Sequence, residues 1–174
     1  MANDVASPHR SLVAAVVALS LAGCGHLNPA VQYREAARQL RFSLDRVEPH
    51  LELAFPLEQS RLKLNVAIGV ENPSDLGLRA RGLEGVLKLD AQGAEHTLGI
   101  IALPEGVSLP SRGRSTLKME MRFGYADIKA SWPVLSAVVF RQEPATWLLD
   151  GQAQLDYLGV AVTVPVHVTR DSGR

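Results

Sequence analysis

A regular alternation of apolar and polar or small positions occupies residues Arg61–Val70. Every second side chain in this stretch is aliphatic: Leu62, Leu64, Val66, Ile68 and Val70. This period of two predicts a β-strand with one face on a core and the other in water. The strand is predicted to end at the segment Asn72–Asp75, because Pro73 cannot donate to a sheet ladder and holds Asn72 in an extended or turn conformation. The asparagine, serine and aspartate side chains of that segment can bond the local backbone and close the turn.

An earlier alternating stretch begins at Leu40 and changes phase after Arg46. After the phase change the apolar set of this stretch is Val47, Leu51, Leu53, Phe55 and Leu57. Pro49 and Pro56 fall within it and indicate edge positions or a bend, since proline in sheets is confined to such places.

The alternation continues downstream through several further segments. It changes phase at Gly82, and a glycine at a phase change is typical of a β-bulge. A turn at Asp90–Gly93 and a return strand at His96–Leu103 complete a predicted hairpin. Pro165 lies in the final stretch and indicates an edge strand. Three more strands are predicted at Ser115–Phe123, Trp147–Tyr157 and Val160–Val168, the last two joined by a tight turn at Leu158–Gly159.

One late segment has a helical period instead. Its apolar residues recur at spacings of three and four, which predicts a helix from about Ala126 to Arg141: Ile128, Trp132, Leu135, Val138 and Val139. Asp127 or Ser131 can cap this helix, and Pro133 is acceptable in its first turn. Residues 31–40 have a weaker pattern that allows a turn or two of helix. Six or seven short strands with one late helix predict an all-β fold, a β-sandwich.

Composition limits the classes of partner. The 174 residues suit one domain with a short appendage. Lys+Arg and Asp+Glu number 18 each, so the chain has no net positive charge that would attract nucleic acid or an anionic membrane surface. A hydrophobic content of 47% argues against disorder. The single cysteine, Cys24, excludes an internal disulfide and a cysteine-rich metal site.

The first 24 residues resemble an export signal for a lipoprotein. The apolar run Ser11–Ala22 is shorter than the about 20 residues of a membrane-spanning helix and fits the apolar region of a signal peptide. The sequence Leu21–Cys24 resembles the bacterial lipobox, in which the cysteine is lipidated and becomes the new N-terminus. The alternatives are an ordinary signal peptide that contains a cysteine, or a buried free thiol. Gly25 follows where an aspartate would resemble an inner-membrane retention signal, which favours the periplasmic face of the outer membrane in a two-membrane host.

These patterns divide the chain into four segments. We expect a lipoprotein signal peptide at residues 1–23 and a lipidated N-terminus with a tether at residues 24–38. The β-sandwich domain is expected at residues 39–170, and a short tail at residues 171–174.

The order of features from about Leu40 to Val168 resembles the late embryogenesis abundant (LEA) type 2 family, also called the WHy (water stress and hypersensitive response) domain. Ser74 departs from this pattern, since an asparagine or similar residue is common there. The matching features are the strand into Val70-Glu71-Asn72-Pro73, the Leu76/Leu78 strand, the Leu109–Gly113 turn, the late helix, Tyr157-Leu158-Gly159 and the Val-Pro-Val run at Val164–Val166.

The resemblance implies a fibronectin-III/immunoglobulin-like sandwich of about seven strands with one helix late in the chain. Bacterial members of the family are often lipoproteins, and relatives are associated with desiccation and stress tolerance. No catalytic residues are established for the domain, so the resemblance implies no active site in this chain.

The residues themselves indicate no catalytic, cofactor or metal site. No two histidines of the mature domain have metal-ligand spacing, and no G-x-S-x-G turn, P-loop or G-x-G-x-x-G is present. Trp132 and Trp147 are interpreted as core anchors. Four arginines offer a small basic patch, but alternating solvent-facing charges are the favoured interpretation of them: Arg79, Arg81, Arg112 and Arg114.

Two functions from different classes fit these observations. The first is a non-catalytic, stress-associated envelope lipoprotein that is held in the bilayer by acylated Cys24 and contacts membrane or client proteins. The second is an adaptor lipoprotein that is docked to a larger envelope or secretion assembly, with an edge strand that accepts a partner strand. Neither function involves a nucleic acid or an evident small-molecule substrate.

Overall fold

Two antiparallel sheets form a sandwich in the computed structural model, which describes residues 28–103, 106–157 and 160–172. The smaller sheet contains, in spatial order, β1 (Arg41–Glu52), β2 (Arg61–Asn72) and β6 (Gly113–Gly124). The larger sheet contains, in spatial order, β4 (Ala94–Leu103), β3 (Leu78–Ala91), β7 (Thr146–Tyr157) and β8 (Val160–Asp171), and β5 (Val107–Leu109) also pairs with β3. The predicted all-β sandwich is confirmed. The described residues hold eight strands, whereas about seven were expected. The three-residue β5 was not predicted, because it is too short to show an alternation in the sequence.

Strand β2 is the centre of the smaller sheet. It pairs with β1 on one side and with β6 on the other over its full length. Its alternating aliphatic side chains are all buried between the two sheets: Leu62, Leu64, Val66, Ile68 and Val70. The strand predicted from the period of two is therefore confirmed.

Both predicted changes of phase are irregularities of pairing. The β1–β2 register shifts between Leu44 and Arg46, and the β3–β7 register shifts between Ala80 and Gly82. In each case one extra residue enters one strand, which moves the following side chains to the opposite face. The bulge predicted at Gly82 is confirmed.

The prolines also lie where the sequence predicts them. Pro49 is in β1 and Pro165 is in β8, and each of these strands has a single hydrogen-bonded neighbour among the described strands. Pro56 lies in the β1–β2 connection after a cis Phe55–Pro56 peptide bond, next to a short 3-10 turn at Leu57–Gln59.

The late helical segment is present but divided. A four-residue helix, which we call α2, spans Tyr125–Ile128, and a second helix, α3, spans Trp132–Phe140. The prediction of one continuous helix over 126–141 is wrong. Pro133 has no N–H to donate to the carbonyl of Lys129, so it lies in the first turn of a separate helix. Asp127 accepts a 3.0 Å hydrogen bond from the Gly124 amide, whereas Ser131 at the start of α3 makes no side-chain cap.

A ten-residue helix, α1, spans Pro29–Arg38. Its N-cap is Asn28, which accepts a 3.1 Å hydrogen bond from the Ala30 amide. The Tyr33 side chain is buried against the larger sheet, and its hydroxyl donates to the backbone oxygen of Asp156 at 2.9 Å. The residues expected to form a tether at 24–38 thus include a packed helix, whereas residues 24–27 lie outside the described part of the chain.

The two tryptophans are core anchors, as predicted. Trp147 is buried, and its indole N–H donates to the Ser172 hydroxyl at 3.0 Å. Trp132 packs edge-to-face on Tyr125 with ring centroids 5.1 Å apart.

The sandwich has two distinct ends. The Asn72 end contains the start of β1, the end of β2 and the meeting point of β7 and β8. The opposite end, which we call the Phe55 end, contains the β1–β2 connection and the β3–β4 turn.

Candidate functional site

Asn72 is the most highly connected polar side chain at its end of the sandwich. It is 1% exposed, and its Nδ2 donates to the backbone oxygens of Leu76 at 2.8 Å, Pro110 at 3.0 Å and Leu109 at 3.3 Å. Its Oδ1 accepts from the Ser74 amide at 3.1 Å and from the Ser74 hydroxyl at 2.7 Å. The predicted backbone-bonding role is confirmed. The partners extend beyond the local turn, so this one amide links the β2–β3 turn to the β5–β6 turn and thereby joins the sheets.

A second link between the same two turns surrounds this amide. The Arg112 backbone N–H donates to the Ser74 carbonyl at 2.9 Å, and the Arg112 side chain forms an ion pair with Asp75. Arg112 has a φ of +49°, which is uncommon for a non-glycine residue. These described residues of the Asn72 end therefore form a cross-linked pair of turns.

The four arginines that offered a basic patch in the sequence lie beside acidic side chains in most cases. Arg81 pairs with Asp156, Arg112 with Asp75, and Arg114 with Asp45. Three of the four arginines thus have a carboxylate partner, which favours paired surface charges over an anion-binding patch.

The Arg114 pair crosses the outer face of the smaller sheet. The Arg114 Nη2 lies 2.7 and 2.8 Å from the two Asp45 carboxylate oxygens and 3.2 Å from the Ser43 hydroxyl. Burial acts to raise the pKa of Asp45, but the hydrogen bonds from Arg114 and Ser43 and the charge of Arg114 outweigh it, so the pKa is lowered. The network lies over Gly69, where a Cβ would be 2.5 Å from Arg114 Nη2.

An open groove runs beside this pair on the same outer face. Its lining includes Asp45, Arg46, Lys118 and Glu120. Glu120 forms an ion pair with Lys63 at 2.8 Å, and the hydrogen bond from Lys63 is the first cause that lowers the pKa of Glu120. The carboxylates Asp45 and Glu120 therefore already pair with neighbouring cations, which leaves a cationic ligand little to bind.

The three histidines within the described residues, His50, His96 and His167, lie on separate strands. His50 is exposed on β1, whereas His167 on β8 places Nδ1 2.8 Å from the Asp150 carboxylate. Lys88 Nζ lies 3.1 Å from the other Asp150 oxygen, and these hydrogen bonds, His167 first, lower the pKa of Asp150. Over residues 28–103, 106–157 and 160–172, no group of three or more His, Cys, Asp or Glu side chains is placed to hold a metal ion.

The predicted lipidation site, Cys24, lies outside the described residues. Within the described ranges, none of the helices combines the length and the apolar character that a membrane crossing needs.

The β1–β2 connection corrects one sequence-based expectation. The pattern continued the apolar set of the first strand through Leu53, Phe55 and Leu57, but β1 ends at Glu52. These three side chains are 62%, 97% and 41% exposed, respectively. An alternation cannot show where a strand loses its partner, and Pro56 was the one local signal of a bend. We call residues 53–60 the Phe55 loop.

No protein-family model and no curated protein matches the chain. Among solved structures, the chain is similar to a protein from Archaeoglobus fulgidus at 11% identity and a TM-score of 0.44, with 74% of this chain and 94% of the other covered. It is similar to a protein from Arabidopsis thaliana at 16% identity and a TM-score of 0.48, with 75% and 78% covered. It is also similar to a candidate late embryogenesis abundant protein at 15% identity and a TM-score of 0.44, with 98% and 92% covered. Likenesses at this level say nothing about activity.

Proposed function

We propose that the protein is a lipid-anchored, non-catalytic envelope lipoprotein with a LEA type 2 domain that supports tolerance of desiccation or osmotic stress. The observation that carries the proposal is the Leu21–Cys24 sequence, which directly follows the apolar run Ser11–Ala22 and contains the only cysteine of the chain. Lipidation there gives a firm anchor, because a single acyl chain binds a bilayer marginally and two or more chains hold it stably.

The domain supports a role in contact rather than in chemistry. The side chain of Asn72, in the segment that resembles the LEA type 2 family, already makes hydrogen bonds within the fold. Two carboxylates of the charged groove on the smaller sheet, Asp45 and Glu120, already form ion pairs within the protein. The Phe55 loop, in contrast, exposes large apolar side chains, and exposed apolar patches are typical of interaction surfaces. Contacts with client proteins fit this surface.

Lipidation is tested in the native host. Inhibition of the lipoprotein signal peptidase should leave an uncleaved precursor, and Cys24→Ser should move the protein from the outer-membrane fraction to a soluble fraction. Recovery of a cleaved, unlipidated wild-type protein would refute the anchor.

The stress role needs a separate test. A strain without the protein should survive drying or osmotic shock less well, and wild-type protein should restore survival. Cys24→Ser is the matched variant, since it removes the anchor and leaves the domain sequence unchanged. Equal survival and equal client aggregation with and without the protein would argue against this role.

One observation favours the adaptor function as a second candidate. Strand β6 is an edge of the smaller sheet, and it pairs with β2 without a register shift from residue 113 to residue 124. The other long edge strands of the described structure carry a proline or a bulge, which blunt an edge against strand addition: Pro49 and a bulge in β1, Pro165 in β8, and a register shift in β4. Crosslinking from native membranes separates the candidates, because a stoichiometric assembly partner indicates an adaptor and scattered clients indicate the stress role.

A further inference from the structure

The Phe55 loop presents an apolar surface at one end of the sandwich. Phe55 is 97% exposed, and Leu53 and Leu57 flank it within two residues on either side. Single exposed apolar side chains are ordinary on protein surfaces, but three within five residues around a nearly fully exposed phenylalanine are not. Large aromatic side chains dominate the binding energy of protein interfaces.

The loop is held firmly by backbone contacts. Ser60 is 1% exposed, and its hydroxyl accepts a 3.0 Å hydrogen bond from the Ala54 amide. The Ser60 carbonyl accepts from the Tyr125 amide at 3.0 Å, and the Ser60 amide donates to the Leu57 carbonyl at 2.9 Å. A braced loop loses little conformational freedom when it binds, so its exposed side chains are pre-organised for a partner.

The position of the loop bears on which partner it can reach. Helix α1 packs at the Asn72 end, where Tyr33 contacts Asp156, and Cys24 is only four positions before Asn28. Four residues span at most about 14 Å, whereas the 12 residues of β1 place the Phe55 end roughly 36 Å away along the strand. An acyl anchor at Cys24 therefore keeps the Asn72 end near the bilayer and the Phe55 loop on the far side.

The charges around the loop argue in the same direction. Glu58 lies within the loop, whereas the two residues that flank it, Glu52 and Arg61, are opposite each other in the β1–β2 register and balance in charge, so Glu58 gives the segment its net negative charge. Segments that insert into membrane surfaces are typically rich in Lys and Arg, which attract anionic lipid. Acidic residues beside an apolar tip are complementary instead to a basic rim around an apolar socket.

We propose that the Phe55 loop docks into an apolar socket with a basic rim on a partner protein, on the side of this protein remote from its lipid anchor. The orientation rests on the proposed anchor at Cys24, but the docking itself does not. Phe55 is the central anchor of this contact, with Leu53 and Leu57 beside it and Glu58 facing the basic rim.

The first experiment identifies what touches the loop. A photo-crosslinking phenylalanine analogue is placed at position 55 of the full chain in its native membrane, and the control position is Ile100, which is 77% exposed on β4. We expect protein adducts from position 55 that are absent from position 100, a single one for an adaptor and several for a protein with clients. Adducts to lipid alone, adducts to a second copy of this chain, equal labelling from both positions, or no adduct would each overturn the proposal.

The second experiment measures the contact with the identified protein after both are purified. Phe55→Ser should weaken the affinity of the full chain at least about tenfold, as for a central interface aromatic, and Glu58→Lys should weaken it through repulsion by the basic rim. Ile100→Ser should leave the affinity unchanged, and all three variants should unfold like the wild type because these side chains are exposed. Equal affinities for Phe55→Ser and the wild type would refute the docking.

The two proposals fail separately. If Cys24 is not lipidated, the crosslink and the affinity measurement still report on docking. If docking fails, the fractionation of Cys24→Ser still reports on the anchor.

Discussion

The side-chain amide of Asn72 donates a hydrogen bond of 3.0 Å to the backbone oxygen of Pro110, a residue 38 positions further along the chain. Asn72 ends a strand of the smaller sheet, and Pro110 follows the strand β5 of the larger sheet. The bond thus connects the two layers of the sandwich at the Asn72 end.

Asn72→Asp should destabilise the domain by about 3 kcal/mol at neutral pH, because it replaces the amide donor with a carboxylate that faces backbone oxygens in a buried site. Ser74→Ala is the matched control. It removes one hydroxyl contact to the same side chain and should cost only about 1 kcal/mol. Urea unfolding of both variants measures the free energies, and equal costs would contradict the central role of Asn72.

Gly69→Ala should displace Arg114 from Asp45, since the added Cβ would lie 2.5 Å from the guanidinium nitrogen and 2.6 Å from an Asp45 oxygen. The atoms in the way are the mobile ends of side chains, and the ion pair is partly exposed, so the cost is about 1 kcal/mol. A double-mutant cycle with Arg114→Ala should show that part of this cost disappears when Arg114 is absent, whereas the close contacts with Ser43 Oγ at 2.5 Å and Asp45 Oδ2 at 2.6 Å remain.

Gly77→Ala controls for the general effect of a methyl group at a glycine. A Cβ there meets no heavy atom within 4 Å, so the stability should change little. If Gly69→Ala costs the same with and without Arg114, the displacement of the ion pair is not the cause.

Tyr33→Phe should reduce the free energy of unfolding by about 1 kcal/mol, because it removes the hydroxyl that donates to the Asp156 carbonyl. Tyr33→Ala should cost about 3 kcal/mol or more, because it also leaves a cavity under helix α1. Thermal and urea unfolding check both values. A near-zero cost for Tyr33→Ala would show that α1 is not part of the cooperative unit.

The stability of the protein should depend on Asp150 in acid. The hydrogen bond from His167, followed by that from Lys88, lowers the pKa of Asp150 below its ordinary value of 3.8. The folded state therefore favours the carboxylate, and this contribution is complete above pH 3.8 and is lost as the pH falls through the lowered value. Asp150→Asn should be less stable than the wild type at neutral pH, and the difference should narrow in acid.

Unfolding of both proteins across this pH range, followed by circular dichroism, measures the difference. His167→Ala should reduce the advantage of the wild-type carboxylate. A wild-type advantage that stays constant down to the most acidic pH would contradict the role of Asp150.

Some of these features could be predicted from the residues and others could not. The pattern located β2, β6 and β8 and both changes of phase, because alternation and proline act within a few positions. The same rules misjudged the segment after Glu52, where the apolar alternation continues but the sheet does not. They also allowed only a turn or two of helix where the ten-residue α1 forms, since its burial depends on Tyr33 meeting a strand more than a hundred residues later.

The sequence by itself determined where strands and turns form in this protein, since the period of two and the chemistry of Asn72-Pro73 act locally. Only the tertiary structure decided which charges neutralise one another, as with Arg114 and Asp45 at a separation of 69 residues. It also decided that Phe55 faces solvent while Phe42 packs against the core. The physical reason is that burial and ion pairing depend on distances in space, which the spacing of residues along a chain does not contain.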